Sequence, residues 1–231
     1  MEKQISHRVR DATRRLRELE RDQVRKPPEP LRFRAPALAA PSGSGVVLSL
    51  RGIRVPGRLT LGRLDVSATD RLLVTGPNGA GKSTLLAVMA GQLDPGGELH
   101  RRRGLRVGLL DQDTAFDRPD RTAQQVYEAA LGPERAGAVP SRSLGLVAPR
   151  DLATRVGDLS AGQRRRLALA LLLADPPGLL LLDEPTSHLS PKLSDELESA
   201  FGTSPGAIVI ATHDRWLRSR WQGTELSLGN A

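Results

Sequence analysis

Nine consecutive residues, Gly76-Pro77-Asn78-Gly79-Ala80-Gly81-Lys82-Ser83-Thr84, fit the pattern G-x-x-x-x-G-K-[ST]. Glycines at those positions let the backbone curl until successive N–H groups point inward at phosphate oxygens, and a following helix adds the partial positive charge of its N-terminus. In such a loop Lys82 reaches the terminal phosphates as a point charge, and the Ser83 hydroxyl ligates Mg²⁺. About a hundred residues further on, Gly178–Thr186 (GLLLLDEPT) reads as an apolar strand that delivers two adjacent carboxylates at its C-terminal end, where ligands sit in open α/β sheets. Asp183 is the candidate for holding Mg²⁺ and Glu184 for the general base that aims and activates a water. Phosphoryl transfer asks a protein for that division of labour: phosphates held, charge neutralised, water oriented. A third cluster, Leu159-Ser160-Ala161-Gly162-Gln163, opens a basic and then apolar helix. Ser160 with Gln163 three residues later fits a capping box, and the same helix start is a site for an anion.

The elements that must position these groups follow from periodicity. Leu72-Leu73-Val74 is the strand entering the loop, and a helix begins near Lys82 and carries Leu85, Leu86, Val88 and Met89. Strands are expected at Val46–Leu50, Gly52–Val55, Leu59–Leu64, Arg71–Val74, Gly97–His100 and Arg106–Leu110, separated by Gly, Pro and Asp. Ala123–Leu131 and Ala161–Ala174 read as helices, Leu179–Leu182 and Ala207–Ala211 as buried parallel strands, with a helix over Lys192–Phe201 between them. Strands alternating with helices after a phosphate loop predict an α/β core with a parallel sheet.

Composition narrows the function classes. The 231 residues are 39% apolar but only 3% aromatic, so the core is built from Leu, Val, Ile and Ala, and the absence of Cys excludes disulfides and thiolate metal sites. No apolar run approaches the roughly 18 residues that span a bilayer. The formal net charge of +8 is uneven: residues 1–34 hold eleven Lys/Arg and six Asp/Glu, a net of +5. Within that arm Ile5, Val9, Ala12, Leu16 and Leu19 are spaced as a coiled-coil seam among Arg8, Arg10, Arg14, Arg15, Arg17 and Arg21. A seam so narrow needs a partner helix, and no second heptad stretch exists in the chain. The charge is an electrostatic footprint for nucleic acid or anionic lipid. Pro27, Pro28 and Pro30 end the helix, and residues 35–45 are a linker rich in Pro, Ala, Gly and Ser.

The order of motifs, GPNGAGKST, then Gln112 at a strand end, then LSAGQ, then LLLLDEPT, then His213 in Ala211–Asp214 (ATHD), resembles the nucleotide-binding domain of ATP-binding cassette (ABC) proteins from about Val46 onward. The resemblance implies a cassette over 46–231: a parallel core sheet, an antiparallel β subdomain and a helical subdomain at about 113–158, preceded by the basic coiled-coil-type helix. It implies two such domains arranged head to tail with two Mg-ATP between them, the partner being a second copy or a separate chain. Lys82, Ser83 and Thr84 then hold phosphates and Mg²⁺, Gln112 attends the metal and the water, and His213 meets the γ-phosphate. Ser160 and Gly162 of the signature serve the ATP of the opposite domain.

The basic helix ending in Arg25-Lys26-Pro27-Pro28-Glu29-Pro30-Leu31, Ser187–Ser190, and His213–Arg215 (HDR) are similar to the ABC-F branch, cytoplasmic two-cassette ATPases whose helical hairpin enters the ribosome. Here the chain corresponds to the second hairpin helix and second cassette. The resemblance implies ribosomal RNA contact through the arm and antibiotic resistance by ribosome protection; a transporter ATPase subunit and a non-functional half are the alternatives. Three departures stand out. Arg51–Arg63 holds no aromatic to stack on adenine, which leaves Val55 or Arg54 as substitutes; Ser190 replaces a carboxylate; and Ala161 replaces the commoner glycine. Trp216 and Trp221 are read as packing residues rather than stacking platforms.

Overall fold

The protein is described by a computed structural model over residues 45–187, 194–197 and 206–229. The chain divides into two units, Met1–Pro30 and Leu31–Ala231, and the described residues belong to the second. The basic helix, nearly all of the linker, Ser190 and most of the helix expected over Lys192–Phe201 lie outside them; residues 194–197 are helical.

Two sheets organise the described residues. β1 (Val46–Val55), β2 (Leu59–Ser67) and β4 (Gly96–Arg101) form an antiparallel sheet in the order β2-β1-β4. β3 (Arg71–Thr75), β5 (Val107–Leu110), β6 (Leu179–Asp183), β7 (Ala207–Ala211) and β8 (Thr224–Ser227) form a parallel sheet in the order β5-β6-β7-β3-β8. The expected break at Gly52 does not occur. The glycine takes φ 57 and the strand runs through it, with the register against β4 shifting between Arg51 and Arg54.

Because successive side chains of a strand point to opposite faces, the parallel sheet separates two cores. Leu72, Val74, Leu179, Leu181, Val209 and Ala211 pack with helix α1 (Lys82–Ala90) and the antiparallel sheet. Leu73, Leu180, Leu182, Ile208 and Ile210 pack on the other side with α2 (Ala123–Ala138) and α4 (Ala161–Ala174). All five residues of β6 and of β7 are buried, which explains why both read as uninterrupted apolar runs.

The helices are bounded by recognisable signals. Thr122 with Gln125, and Ser160 with Gln163, form reciprocal capping boxes that start α2 and α4. Gly91 ends α1 in the left-handed conformation, and Arg101 Nη2 donates to the carbonyl of Met89 (2.6 Å) there. α2 runs further than the expected Leu131 because it continues beyond a kink at Gly132 (φ 75) and Pro133. Tyr127 in α2 is buried, its hydroxyl donating to the Val139 carbonyl at 2.8 Å, and Arg135 Nε caps the C-terminus of α4 at the Ala174 carbonyl (2.8 Å). A short helix α3 (Pro149–Leu152), a second short one, α5 (Arg215–Arg220), and β8 complete the set.

The two tryptophans part company. Trp221 is half-buried and packs against the core on the α2/α4 side, as read. Trp216 is 59% exposed, which corrects the packing assignment, and the guanidinium of Arg220 lies 5.2 Å from its ring centroid. The reason is its place in the first turn of α5, two residues after the N-cap Asp214: Leu217 takes the inward face of that short helix and leaves Trp216 outside.

Candidate nucleotide-binding site

The loop between β3 and α1 is held open by its own backbone. Gly76 and Gly81 have φ 147 and 90, and a Cβ on Gly81 would run into the Arg58 carbonyl. Those two conformations and that close approach are why glycine stands there. α1 starts at Gly81 with no side-chain cap, so its first N–H groups face the loop interior and supply an anion site. Lys82, 9% exposed, folds back over the loop and donates from Nζ to the carbonyls of Gly76 (2.9 Å) and Pro77 (3.0 Å).

Opposite the loop, β6 ends in Asp183 and Glu184. Asp183 is 2% exposed. Burial is the main reason its carboxyl titrates above the ordinary carboxylate value; Glu184 and Asp111 push the same way, while a hydrogen bond from Ser83 and the charge of Arg165 oppose it. Glu184 takes φ 49, the one non-glycine residue with positive φ among those described. That strained backbone turns its side chain toward the segment after β7. Glu184 Oε2 accepts from the Thr212 hydroxyl (3.0 Å), and Oε1 accepts from the His213 N–H (2.9 Å) and meets His213 Nδ1 at 2.6 Å.

These groups share one cavity of about 610 Å³ lined by Gly57, Arg58, Asn78, Gly79, Gly81, Lys82, Ser83, Thr84, Gln112, Asp183, Glu184, Ser187 and His213. The fold thus gathers the β1–β2 turn, the loop, Gln112, both carboxylates and His213 from five separate stretches of sequence. Leu159, Ser160, Ala161, Gly162 and Gln163 do not line it; they lie at the start of α4, where Ser160 Oγ accepts the Gln163 N–H at 3.3 Å and Ser160 N–H meets Gln163 Oε1 at 2.7 Å. Neither Val55 nor Arg54 reaches the cavity: Val55 packs into the core beside the antiparallel sheet, and the wall there is formed by Gly57 and Arg58 of the β1–β2 turn.

Sequence reasoning also missed Arg165. It is 3% exposed and donates to the backbone carbonyls of Gln112 and Glu184; nothing in the run Arg164-Arg165-Arg166 distinguishes it beforehand.

Chemically the cavity can hold a polyphosphate with a small hard cation. Among the described residues no group of three or more His, Cys, Asp or Glu is placed to hold a metal ion. A divalent ion here would therefore take few protein ligands, Ser83 and Asp183 with Gln112 nearby, and complete its shell with phosphate oxygens and water, which is how Mg²⁺ binds. The buried carboxyl of Asp183, already hydrogen-bonded to Ser83, fits such an ion.

That burial carries a cost to the empty protein. With a folded pKa above its unfolded value of 3.8, Asp183 takes up its proton earlier in the native state as pH falls. Its destabilising contribution is present in full above the folded pKa and absent below the unfolded one. Asp183→Asn is expected to melt a few degrees higher than the wild type at pH 7 without metal, with the gap closing toward pH 4 and Mg²⁺-dependent nucleotide binding lost. Thermal scans at the two pH values check it; an unchanged or lower Tm at pH 7 contradicts it.

The fold and the cavity define a P-loop nucleotide-binding α/β domain. The profile of the ABC transporter family matches residues 61–187, more than half of the chain, and the chain belongs to that family, as an ATP-binding cassette. It is 45% identical over 223 residues to the tylosin resistance ATP-binding protein TlrC of Streptomyces fradiae, covering 96% of this chain and 40% of that protein. It is 36% identical to the energy-dependent translational throttle protein EttA of Mycobacterium tuberculosis over 66% of this chain and 30% of that one. The chain spans two fifths or less of the length of these relatives. Among solved structures, a dimeric ATP-binding cassette in a post-hydrolysis state with ADP and Pi superposes with a TM-score of 0.64 at 22% identity, covering 78% of this chain and 94% of that one. An ATP-binding subunit of an ABC transporter superposes with a TM-score of 0.67 at 20% identity, over 80% and 86% of the two chains. No helix among the described residues is long and apolar enough to cross a membrane.

Proposed function

We propose that the chain is a Mg²⁺-dependent ATPase cassette of the ABC-F type, working against a second cassette and acting on the ribosome through its basic N-terminal segment, in the service of antibiotic resistance. The observation that carries the hydrolytic reading is the shared cavity of the phosphate loop, Gln112, Asp183, Glu184 and His213. In it the loop N–H groups and Lys82 bind and orient the phosphates, Ser83, Asp183 and Gln112 hold the metal, and His213 meets the γ-phosphate while keeping Glu184 aimed. Glu184 takes the proton of the attacking water. Bound Mg²⁺ supplies charge neutralisation at the phosphates.

The position of Ser160 and Gly162 outside this cavity supports their use by the ATP of a second cassette, whether a second copy or another chain. The ribosomal part of the reading draws on the names of two relatives, one a resistance protein and the other a translational throttle, and on the +5 charge of residues 1–34.

Co-sedimentation with 70S ribosomes tests it. The full chain is expected to pellet with ribosomes in ATP, with affinity falling steeply as salt rises, since phosphate contacts release counterions. Reversing Arg14, Arg15 and Arg17 to Glu is expected to weaken pelleting at least about tenfold while ATP binding persists. Pelleting indifferent to those reversals removes the arm from the reading, and absent pelleting with a membrane partner recovered instead favours the transporter alternative.

A further inference from the structure

Arg165 spends both terminal nitrogens of its guanidinium on backbone. Nη1 donates to the carbonyls of Asp111 (3.2 Å) and Gln112 (2.9 Å), and Nη2 to those of Asp183 and Glu184, the latter at 2.8 Å. The first pair lies just past the end of β5 and the second at the end of β6; these strands are parallel neighbours, paired from Val107↔Leu179 to Leu110↔Leu182. The ladder ends at Leu110↔Leu182, and Arg165 bridges the two segments that follow. Each carries one flank of the nucleotide cavity, Gln112 on one side and the two carboxylates on the other.

As a stabilising device this is a poor choice. A guanidinium 3% exposed, with its Nε unbonded and no ion pair to a carboxylate, gives up hydration for four neutral acceptors. Burial draws its pKa below the ordinary value, against the raising influence of Asp183, Glu184, Asp111 and Asp113. A neutral side chain of the same volume would cost less. The geometry offers another use for it. Arg165 sits five residues after Ser160, the N-cap of α4, inside a turn stiffened by the Ser160/Gln163 capping box and by the Arg164 N–H bond to the Ser160 carbonyl (2.9 Å). Ser160 and Arg165 are therefore joined through one hydrogen-bonded helix start.

We propose that Arg165 is a positioning residue: it fixes the spacing between Gln112 and the Asp183-Glu184 pair, and transmits displacement of the Ser160–Gly162 turn to both. Resting on the cassette reading above, this makes contact at the signature turn with a partner's ATP register directly in the metal-side groups of the chain's own site. Lysine cannot replace it, because a single ammonium reaches one loop or the other but lacks the fork that spans both.

The test uses the full chain as wild type, Arg165→Met, Arg165→Lys and Ser160→Gly, which uncaps α4. Without nucleotide, amide hydrogen exchange in Arg165→Met is expected to rise at least about tenfold over residues 111–116 and 183–187 and to stay unchanged in α1 and β7; Arg165→Lys keeps protection in only one of the two segments. Ser160→Gly is expected to raise exchange in both segments when Arg165 is present and to add nothing in the Arg165→Met background, the signature of a shared route. ATP affinity without metal stays within about twofold in Arg165→Met, while the gain on adding Mg²⁺ shrinks at least about fivefold. Exchange rising uniformly, additive effects of the two substitutions, or equal loss of affinity with and without Mg²⁺ overturns the proposal. The exchange arm needs no nucleotide, so a wild type that fails to bind Mg-ATP sinks the cassette reading separately.

Discussion

Replacing Glu184 by glutamine is expected to lower kcat for ATP hydrolysis at least about 100-fold while leaving ATP binding within a few-fold of the wild type. General-base contributions of this size are ordinary when the proton acceptor is removed and its position kept. The position is kept here for a structural reason. Glutamine has the size of glutamate, its Oε1 can still accept from the His213 N–H, and its amide can donate to the Thr212 hydroxyl, which in turn accepts the Asp214 N–H at 3.0 Å. The positive φ at residue 184 costs an amide and an acid about the same, so the fold and the cavity survive the change. What is lost is a group able to take a proton. The same hydrogen bonds anchor both carboxylate oxygens, Oε1 by the His213 backbone and ring and Oε2 by the single bond from Thr212, which leaves Oε2 a lone pair for water. His213→Ala is therefore expected to loosen Glu184 rather than only remove a phosphate contact. Steady-state hydrolysis read beside fluorescent-nucleotide binding decides it. A Glu184→Gln protein with kcat within threefold of the wild type removes Glu184 from the base role, and one that no longer binds ATP shows that the substitution disturbed the cavity.

Which parts of this site could be read from sequence follows from which parts depend on residue identity. The loop Gly76–Thr84 needs glycine, lysine and hydroxyl at fixed spacing, so it announces itself; Asp183 and Glu184 do so because two carboxylates at the end of a buried apolar strand are otherwise costly. β6 and β7 were legible because both faces of each are buried. β8 and α5 were not, since Thr224–Ser227 is an exposed edge strand of four mostly polar residues and Arg215–Arg220 buries only Leu217. Local sequence cannot report an element whose reason to exist is pairing with a distant one. In β8 that pairing is with β3, and the Thr75 hydroxyl fastens it by donating to Glu225 Oε1 at 2.7 Å. The wall beside the loop was not singled out for a related reason: Gly57 and Arg58 of the β1–β2 turn line the cavity, while strand alternation packs the half-buried Val55 against the core. Arg165 was invisible because its partners are backbone carbonyls, which leave no mark in the sequence of the segments that supply them.

Lys82→Met is expected to weaken ATP binding about 100-fold and to abolish hydrolysis, with little change in the stability of the empty protein. Two charge-assisted hydrogen bonds to phosphate oxygens contribute together roughly 3 kcal/mol, which is about two decades in Kd. Within the loop the same ammonium donates to the carbonyls of Gly76 and Pro77 at 2.9 and 3.0 Å. Its contacts are thus exchanged on binding rather than created, and the net gain comes from replacing two neutral acceptors by charged ones. Methionine keeps most of the aliphatic stem of the 9%-exposed Lys82, and the freed carbonyls belong to half-buried Gly76 and exposed Pro77, where water can reach them, so unfolding should cost within about 1 kcal/mol of the wild type. This separates the lysine from the glycines around it. A side chain at Gly81 collides with the Arg58 carbonyl and strains a backbone at φ 90, so any substitution there damages the loop itself. Nucleotide titration at fixed Mg²⁺ with a urea melt of the same sample gives both numbers. A Lys82→Met protein that binds ATP within threefold of the wild type leaves the phosphates held by backbone N–H groups alone and reduces Lys82 to a brace for the empty loop.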